Sequence, residues 1–267
     1  MANPVLTAVR SVDGSSIAVE TIGSGTPVIL IGGAFNDRST MTALASTLAP
    51  HATAVTYDRR GRGGSTDASG DYTVQAEIDD LAAVIEQVGG RAHVFGHSSG
   101  AALALEGVLR GLPIDKVAVY EMPAVVDGNR PEPAAEVFDQ LVAGIAAGDL
   151  DGAAELFLVE QVGVPAPFVA EMRNAPVWDF MSAQAGSLPY DVAVCGPGMR
   201  LQSSRYATIT IPALVVYGDQ TWPWIQTANQ ALGATIPNAR REVLPGADHE
   251  VLAQPELLEP LLLDFFG

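Results

Sequence analysis

A serine set between glycines, a late histidine and two carboxylates are the residues of this sequence whose types could do chemistry together. The serine is Ser98 in Gly96-His97-Ser98-Ser99-Gly100, and the histidine is His249 in Gly246-Ala247-Asp248-His249. The carboxylates are Glu121 in Val119-Tyr120-Glu121-Met122-Pro123 and Asp219 in Gly218-Asp219-Gln220-Thr221. A serine hydroxyl is a weak nucleophile until a base removes its proton. Imidazole exchanges a proton near neutral pH, and a carboxylate fixes its tautomer and steadies its charged form. The set implies covalent attack on a carbonyl carbon, provided the fold brings its members together.

The frame that would do so is legible in the apolar runs. Val5 to Val9 and Ile17 to Ile22 flank Asp13-Gly14, the pattern of a hairpin. The runs Val28 to Ile31, Ala52 to Tyr57, Ala92 to Phe95, Val117 to Tyr120, Ala213 to Tyr217 and Glu242 to Leu244 are continuous rather than alternating, as in strands covered on both faces. Helix-patterned segments separate them: Met41 to Leu48, Val74 to Val88, Ala101 to Leu109, Trp224 to Leu232 and Pro255 to Phe266. Such alternation predicts an α/β fold with a mostly parallel eight-stranded sheet wrapped by helices. It breaks between Ala124 and Ala207, where only helix-like pieces occur: Pro133 to Ala147, Asp151 to Val162, Pro167 to Asn174 and Pro176 to Ala185. The expected organisation is a core of residues 1–123 and 208–267 with a helical cap, 124–207, inserted after strand six.

In that frame Gly-x-Ser-x-Gly, a weak signal alone, sits between strand five and a helix, where a serine can be held on a sharp turn. At this point the chain resembles the α/β-hydrolase fold family over nearly its whole length. Asp58-Arg59-Arg60-Gly61-Arg62-Gly63-Gly64-Ser65 is similar to the family's D-x-R-G-x-G-x-S turn after strand four, read here as a loop brace. Gly246 to His249 is similar to its histidine loop after strand eight. His249 follows the last strand at the carboxyl edge, where ligands of such sheets collect. His93, within strand five, and His51, before strand four, belong to the opposite edge, and the turn is expected to direct the His97 side chain elsewhere.

The resemblance implies an oxyanion hole built from the backbone N–H of Ser99 and one from Gly32-Gly33-Ala34-Phe35, with Ala34 the expected donor and Gly33 the alternative. The family's usual acid stands after strand seven in G-x-x-D, and this chain has Thr221 there. The acid is therefore expected to be Glu121, with Asp219 the alternative. G-x-S-S-G-A around Ser98, Glu121 followed by Pro123, and Pro176-Val177-Trp178 in the cap resemble the zearalenone-type lactone hydrolases. Substrate contacts are expected from Trp178, Trp222 and Phe35, with Phe168 and Phe180 read as core.

Composition bounds the partners. The 14 basic against 31 acidic residues leave a net charge of −17, which disfavours nucleic acid and anionic membranes. The sole cysteine, Cys195, excludes an intrachain disulfide and a cysteine metal cluster. The N-terminal stretch lacks the charged and apolar regions of a secretory signal, so a soluble cytoplasmic protein, monomer or homodimer, is expected. The expected activity is hydrolysis of a small apolar ester or lactone without metal or cofactor. The same triad could serve C–C bond hydrolysis or perhydrolysis, and a pocket that has lost turnover is the non-enzymatic alternative.

Overall fold

In the computed structural model, which describes residues 3–267, one eight-stranded sheet runs through the molecule in the order β1-β2-β4-β3-β5-β6-β7-β8. β1 (Val5–Arg10) and β2 (Ser16–Gly23) form the expected hairpin, and β2 runs antiparallel to β4 (Thr53–Tyr57). β3 (Pro27–Ile31), β4, β5 (Ala92–His97), β6 (Ile114–Tyr120), β7 (Ala213–Gly218) and β8 (Ala239–Leu244) are mutually parallel. Their carboxyl ends therefore share one edge. The helices are α1 (Thr42–Leu48), α2 (Val74–Gln87), α3 (Ser99–Leu109), α4 (Val137–Ala146), α5 (Leu150–Leu156), α6 (Ala166–Met172), α7 (Val177–Gln184), α8 (Leu188–Cys195), α9 (Ser203–Tyr206), α10 (Pro223–Thr235) and α11 (Pro255–Phe266).

The continuous apolar runs are explained by burial on both faces. Val94, Val117 and Val215 join Leu81, Leu103 and Leu232 on one side of the sheet. Their neighbours Phe95, Ala118 and Leu214 join Leu44, Leu48, Leu258 and Leu262 on the other. Alternate side chains of each strand thus enter opposite apolar layers. No helix among the described residues is long and apolar enough to cross a membrane.

Between β6 and β7 the only strand-like pairing among the described residues is an isolated bridge of Val125 with Arg200. The remainder is helical and builds a third apolar cluster, in which Val137, Leu141, Phe157, Trp178 and Leu188 gather over Phe35. Three details differ from the pattern read in the sequence. The first helix starts at Val137 rather than Pro133: residues 131–134 have no regular structure and 135–136 form a turn ahead of it. The second, α5, continues as a π-helical stretch, Phe157–Val162, that ends at left-handed Gly163. α8 has no counterpart in that pattern, since it follows a short 3-10 turn that breaks the apolar periodicity at Ala185–Ser187.

Candidate active site

Ser98 lies between β5 and α3 with φ 55° and ψ −126°, a conformation strained for a residue with a side chain. Its neighbours enforce it. A Cβ at position 96 would stand 2.4 Å from the carbonyl oxygen of Gly100, and one at 100 would stand 2.4 Å from that of Ile31. Only glycines allow β5, α3 and the end of β3 to approach this closely. The sheet then carries the register past the strand ends: Ser98 N–H donates to Tyr120 O (2.9 Å) and Glu121 N–H to Val216 O (3.0 Å). Glu121 also has positive φ, 51°, and is fully buried.

Glu121 is the carboxylate that meets His249. Its Oε2 stands 2.6 Å from His249 Nδ1 and accepts the Thr221 hydroxyl at 2.8 Å, while Oε1 accepts Gly218 N–H at 2.9 Å. Burial raises its carboxyl pKa, but the contact with His249, the Gly218 amide and the Thr221 hydroxyl outweigh burial and hold it below the ordinary value. Thr221, standing where the family's acid is usual, is thus a hydrogen-bond donor to the acid on the neighbouring strand. Asp219 is exposed and elsewhere occupied: its Oδ1 accepts from Gly246 N–H and from Gln220 Nε2.

The histidine loop is fastened from several sides. Tyr120 Oη donates to Asp248 O (2.7 Å), Gln220 N–H donates to Ala247 O (2.9 Å), and His97 Nε2 donates to His249 O (2.9 Å). A carbonyl oxygen only accepts, so the proton of His97 is on Nε2. Burial pushes the pKa of His97 down to about 3, the nearness of the His249 imidazole further disfavouring a second proton there, so the ring stays neutral. The expectation that the turn directs His97 away from the site is corrected here. Its ring centroid lies 4.8 Å from that of His249, and it lines the same cavity. His51 and His93 line a separate cavity of about 310 Å³ around the amino ends of β3 and β5.

The main cavity, about 720 Å³, is bounded by the sheet edge and by the helices of the insertion. Ser98, Ser99, His249, Ala34 and Phe35 line it from the sheet side. Ser98 Oγ makes no hydrogen bond among the described residues, so its contact with the imidazole is not closed in the resting chain. Such bonds are often long without substrate and tighten with it. Gly33 N–H is taken by Asn36 Oδ1 (2.9 Å), whereas Ala34 N–H, like Phe35 N–H after it, has no acceptor among the described residues, so the expected donor Ala34 is available. Ser99 N–H, at the first turn of α3, is likewise an orphan donor. Among the described residues no three His, Cys, Asp or Glu side chains are grouped as a metal site would need.

Aromatic placement corrects part of the sequence reading. Trp222 lines the cavity, half-exposed, with its ring 5.9 Å from that of His249, and Trp224 lines it too. Trp178 does not: it is buried in the insertion, its Nε1 donates to Asp151 Oδ1 (2.8 Å), and Arg173 lies over its ring. Phe180, two residues on, faces the cavity with Met181, Met172 and Phe157, whereas Phe168 is exposed rather than core. Periodicity marks these as apolar but cannot say which of two apolar directions each faces.

The turn after β4 reaches further than a loop brace. Arg60 does close its own neighbourhood through Asp80 and Asp13. Arg59 and Arg62 cross to the insertion and meet Asp191 of α8, which also accepts the Ser99 hydroxyl at 2.6 Å. Burial raises the carboxyl of Asp191, but the two guanidinium groups outweigh it and hold it low. Nothing in the sequence flags Asp191, because it stands in a mostly apolar helix with no charge pattern.

Comparison with known proteins agrees with this architecture. The alpha/beta hydrolase family matches residues 28–260. A solved alpha/beta hydrolase from Sphaerobacter thermophilus is 46% identical with TM-score 0.91, covering 98% of this chain and 100% of that one. An enol-lactonase from Burkholderia xenovorans shares the fold at 20% identity and TM-score 0.74, covering 98% of this chain and 99% of that one. An uncharacterised hydrolase of Bacillus subtilis, YraK, is 35% identical over 102 residues, so the match spans only 37% of this chain and 38% of that protein. With eight strands in this order and a family match over most of its length, the chain belongs to the alpha/beta hydrolase family.

Proposed function

We propose that this protein is a serine hydrolase that cleaves carboxylic esters or lactones with an apolar part, through Ser98, His249 and Glu121. The 2.6 Å contact between the buried Glu121 carboxylate and His249 Nδ1 carries the reading. It leaves Nε2 of the same ring as the proton acceptor in a cavity that Ser98 also lines. A pocket without turnover would have no use for a desolvated carboxylate held ionised against that histidine.

The chemistry follows from the geometry. Ser98 Oγ attacks the substrate carbonyl carbon while His249 Nε2 takes its proton. The carbonyl electron pair moves onto oxygen, where the N–H groups of Ala34 and Ser99 receive it, each such donor typically giving about 3 kcal/mol of transition-state stabilisation. Collapse breaks the bond to the alcohol oxygen, which leaves with the proton from His249. Water repeats the sequence on the acyl-enzyme and restores Ser98. Glu121 remains ionised throughout, holds the imidazole in one tautomer and offsets its charge. In a lactone the alcohol and acyl parts are one molecule, and the fold shared with an enol-lactonase and the local resemblance to zearalenone-type hydrolases favour that substrate class.

The cavity wall supports an apolar substrate: Phe35, Phe157, Leu158, Met172, Phe180, Met181 and Trp222 dominate it, and no lysine or arginine among the described residues lines it. The test is turnover of a p-nitrophenyl ester by wild type and by Ser98→Ala. The expected loss in kcat is on the order of 10⁶, the scale of nucleophile removal in serine hydrolases. Equal turnover by the two proteins would overturn the assignment.

A further inference from the structure

Arg62 is a fully buried guanidinium whose bonds are divided between two parts of the molecule. Nε donates to Ser187 Oγ (2.7 Å) and Nη2 to Asp191 Oδ2 (2.5 Å), both in the insertion. Nη1 donates to the carbonyl oxygens of Gly33 (2.5 Å) and Asn36 (3.1 Å), in the loop after β3. The Gly33 carbonyl and the Ala34 N–H are the two ends of one peptide group. A cationic donor on the carbonyl fixes the plane of that group and polarises it, making the N–H at its other end a stronger donor.

The peptide needs such a hold. Phe35, the next residue, has φ 61°, a strained conformation for a side chain, and rotation of the Gly33–Ala34 peptide would turn a carbonyl, rather than an N–H, toward the cavity. Gly33 N–H is tied to Asn36 Oδ1, and the Gly33 carbonyl accepts Asn36 N–H at 3.3 Å and Arg62 Nη1 at 2.5 Å, the guanidinium being the shorter and the charged contact.

We propose that Arg62 is a positioning residue for the oxyanion-binding peptide, and that Asp191 keeps it there, so that the seating of the insertion and the strength of the oxyanion hole are linked. The proposal rests on the serine-hydrolase reading and adds to it a residue that touches no substrate. Arg62 occupies a variable position of the turn motif, between Gly61 and Gly63, and Asp191 lies in the insertion, so the link belongs to this chain's own residues.

The experiment uses the whole protein in three forms: wild type, the charge-balanced Arg62→Met/Asp191→Asn, and Arg62→Lys. Lysine keeps a cation beside Asp191 but has one nitrogen where arginine divides three. Turnover of a p-nitrophenyl ester and binding of a trifluoromethyl ketone, which forms a tetrahedral adduct with the serine, are both measured. The double variant should lose about 10² to 10³ in kcat, as for removal of one oxyanion donor, with KM changed less than about threefold. Its affinity for the trifluoromethyl ketone should fall in step with kcat. Arg62→Lys should lose roughly tenfold in both, again with KM held, and it decides the matter if the double variant does not fold. Wild-type kcat and ketone affinity in the folded variants would overturn the proposal, as would a rise in KM that accounts for the whole loss. Failure of wild type to acylate Ser98 would instead overturn the hydrolase reading on which the proposal depends.

Discussion

The cavity has two walls, and they are held in different ways. On the sheet side, Ser98, Glu121 and Phe35 all have positive φ, and each is over-determined by bonds from neighbouring elements: Tyr120 O to Ser98, Val216 O, Gly218 and Thr221 to Glu121, and Arg62 and Asn36 to the loop before Phe35. On the insertion side, Phe157, Leu158, Met172, Phe180 and Met181 meet the cavity through apolar contact. Hydrogen bonds are directional and fix atoms closely, which proton transfer requires. Apolar contacts are non-directional, and methionine adapts to irregular shapes. The sheet wall is therefore built for chemistry and the insertion wall for fit. Changes to the first should appear in kcat, and changes to the apolar side chains of the second in KM; Asp191, which reaches from the insertion to Arg62, belongs with the first.

The sharpest way to break that division is Glu121→Gln, which keeps shape and removes charge. Loss of roughly 10³ to 10⁴ in kcat is expected, with the protein still folded by circular dichroism. A stability signature should accompany it. Glu121 is held below its ordinary value of 4.5 in the fold, so its favourable contribution is complete above that value and is lost as pH falls through the lowered one. The gap in unfolding free energy between wild type and Glu121→Gln should be widest near neutrality and close in acid. A gap that widens in acid would contradict the assignment of an ionised, partnered carboxylate.

A pair of aromatic truncations tests the insertion wall. Trp178→Ala removes a buried ring that lies outside the cavity and should cost about 3–5 kcal/mol of stability, read by denaturant unfolding, with KM unchanged in the folded fraction. Phe180→Ala removes a ring that faces the cavity and should raise KM for bulky apolar esters about tenfold over the change for acetate esters. Equal KM effects for the two variants would remove the distinction between lining and core. The smallest effect is expected at the rim: Asp219→Asn loses a support of the histidine loop but no contact with the ring, so activity should fall less than about tenfold by the same p-nitrophenyl assay. A larger loss than that of Glu121→Gln would return the acid to Asp219.

The two walls also differ in how far the sequence reveals them. Strand order and the setting of Ser98 follow from continuous apolar runs broken by glycine turns, because both are local patterns. In the sequence, Glu121 can be weighed against Asp219 only as one strand end against another. What separates them in space is Thr221, whose hydroxyl supports Glu121 from the place where an acid is usual. The insertion is legible as helical, but the direction each aromatic faces depends on how helices dock, which periodicity does not encode. Trp178 and Phe180 exchange their expected places for that reason, the first being core and the second lining the cavity. Arg62, Asp191 and His97 act through partners more than 25 residues away in the chain, so no local pattern could join them.

The central claim is that Ser98, strained at the end of β5, is the nucleophile. A fluorophosphonate probe should label wild type at one site, located by peptide mass spectrometry on Ser98, and His249→Ala should slow the labelling greatly because the hydroxyl then lacks its base. Labelling at another residue, or unchanged labelling of the His249→Ala protein, would contradict the account.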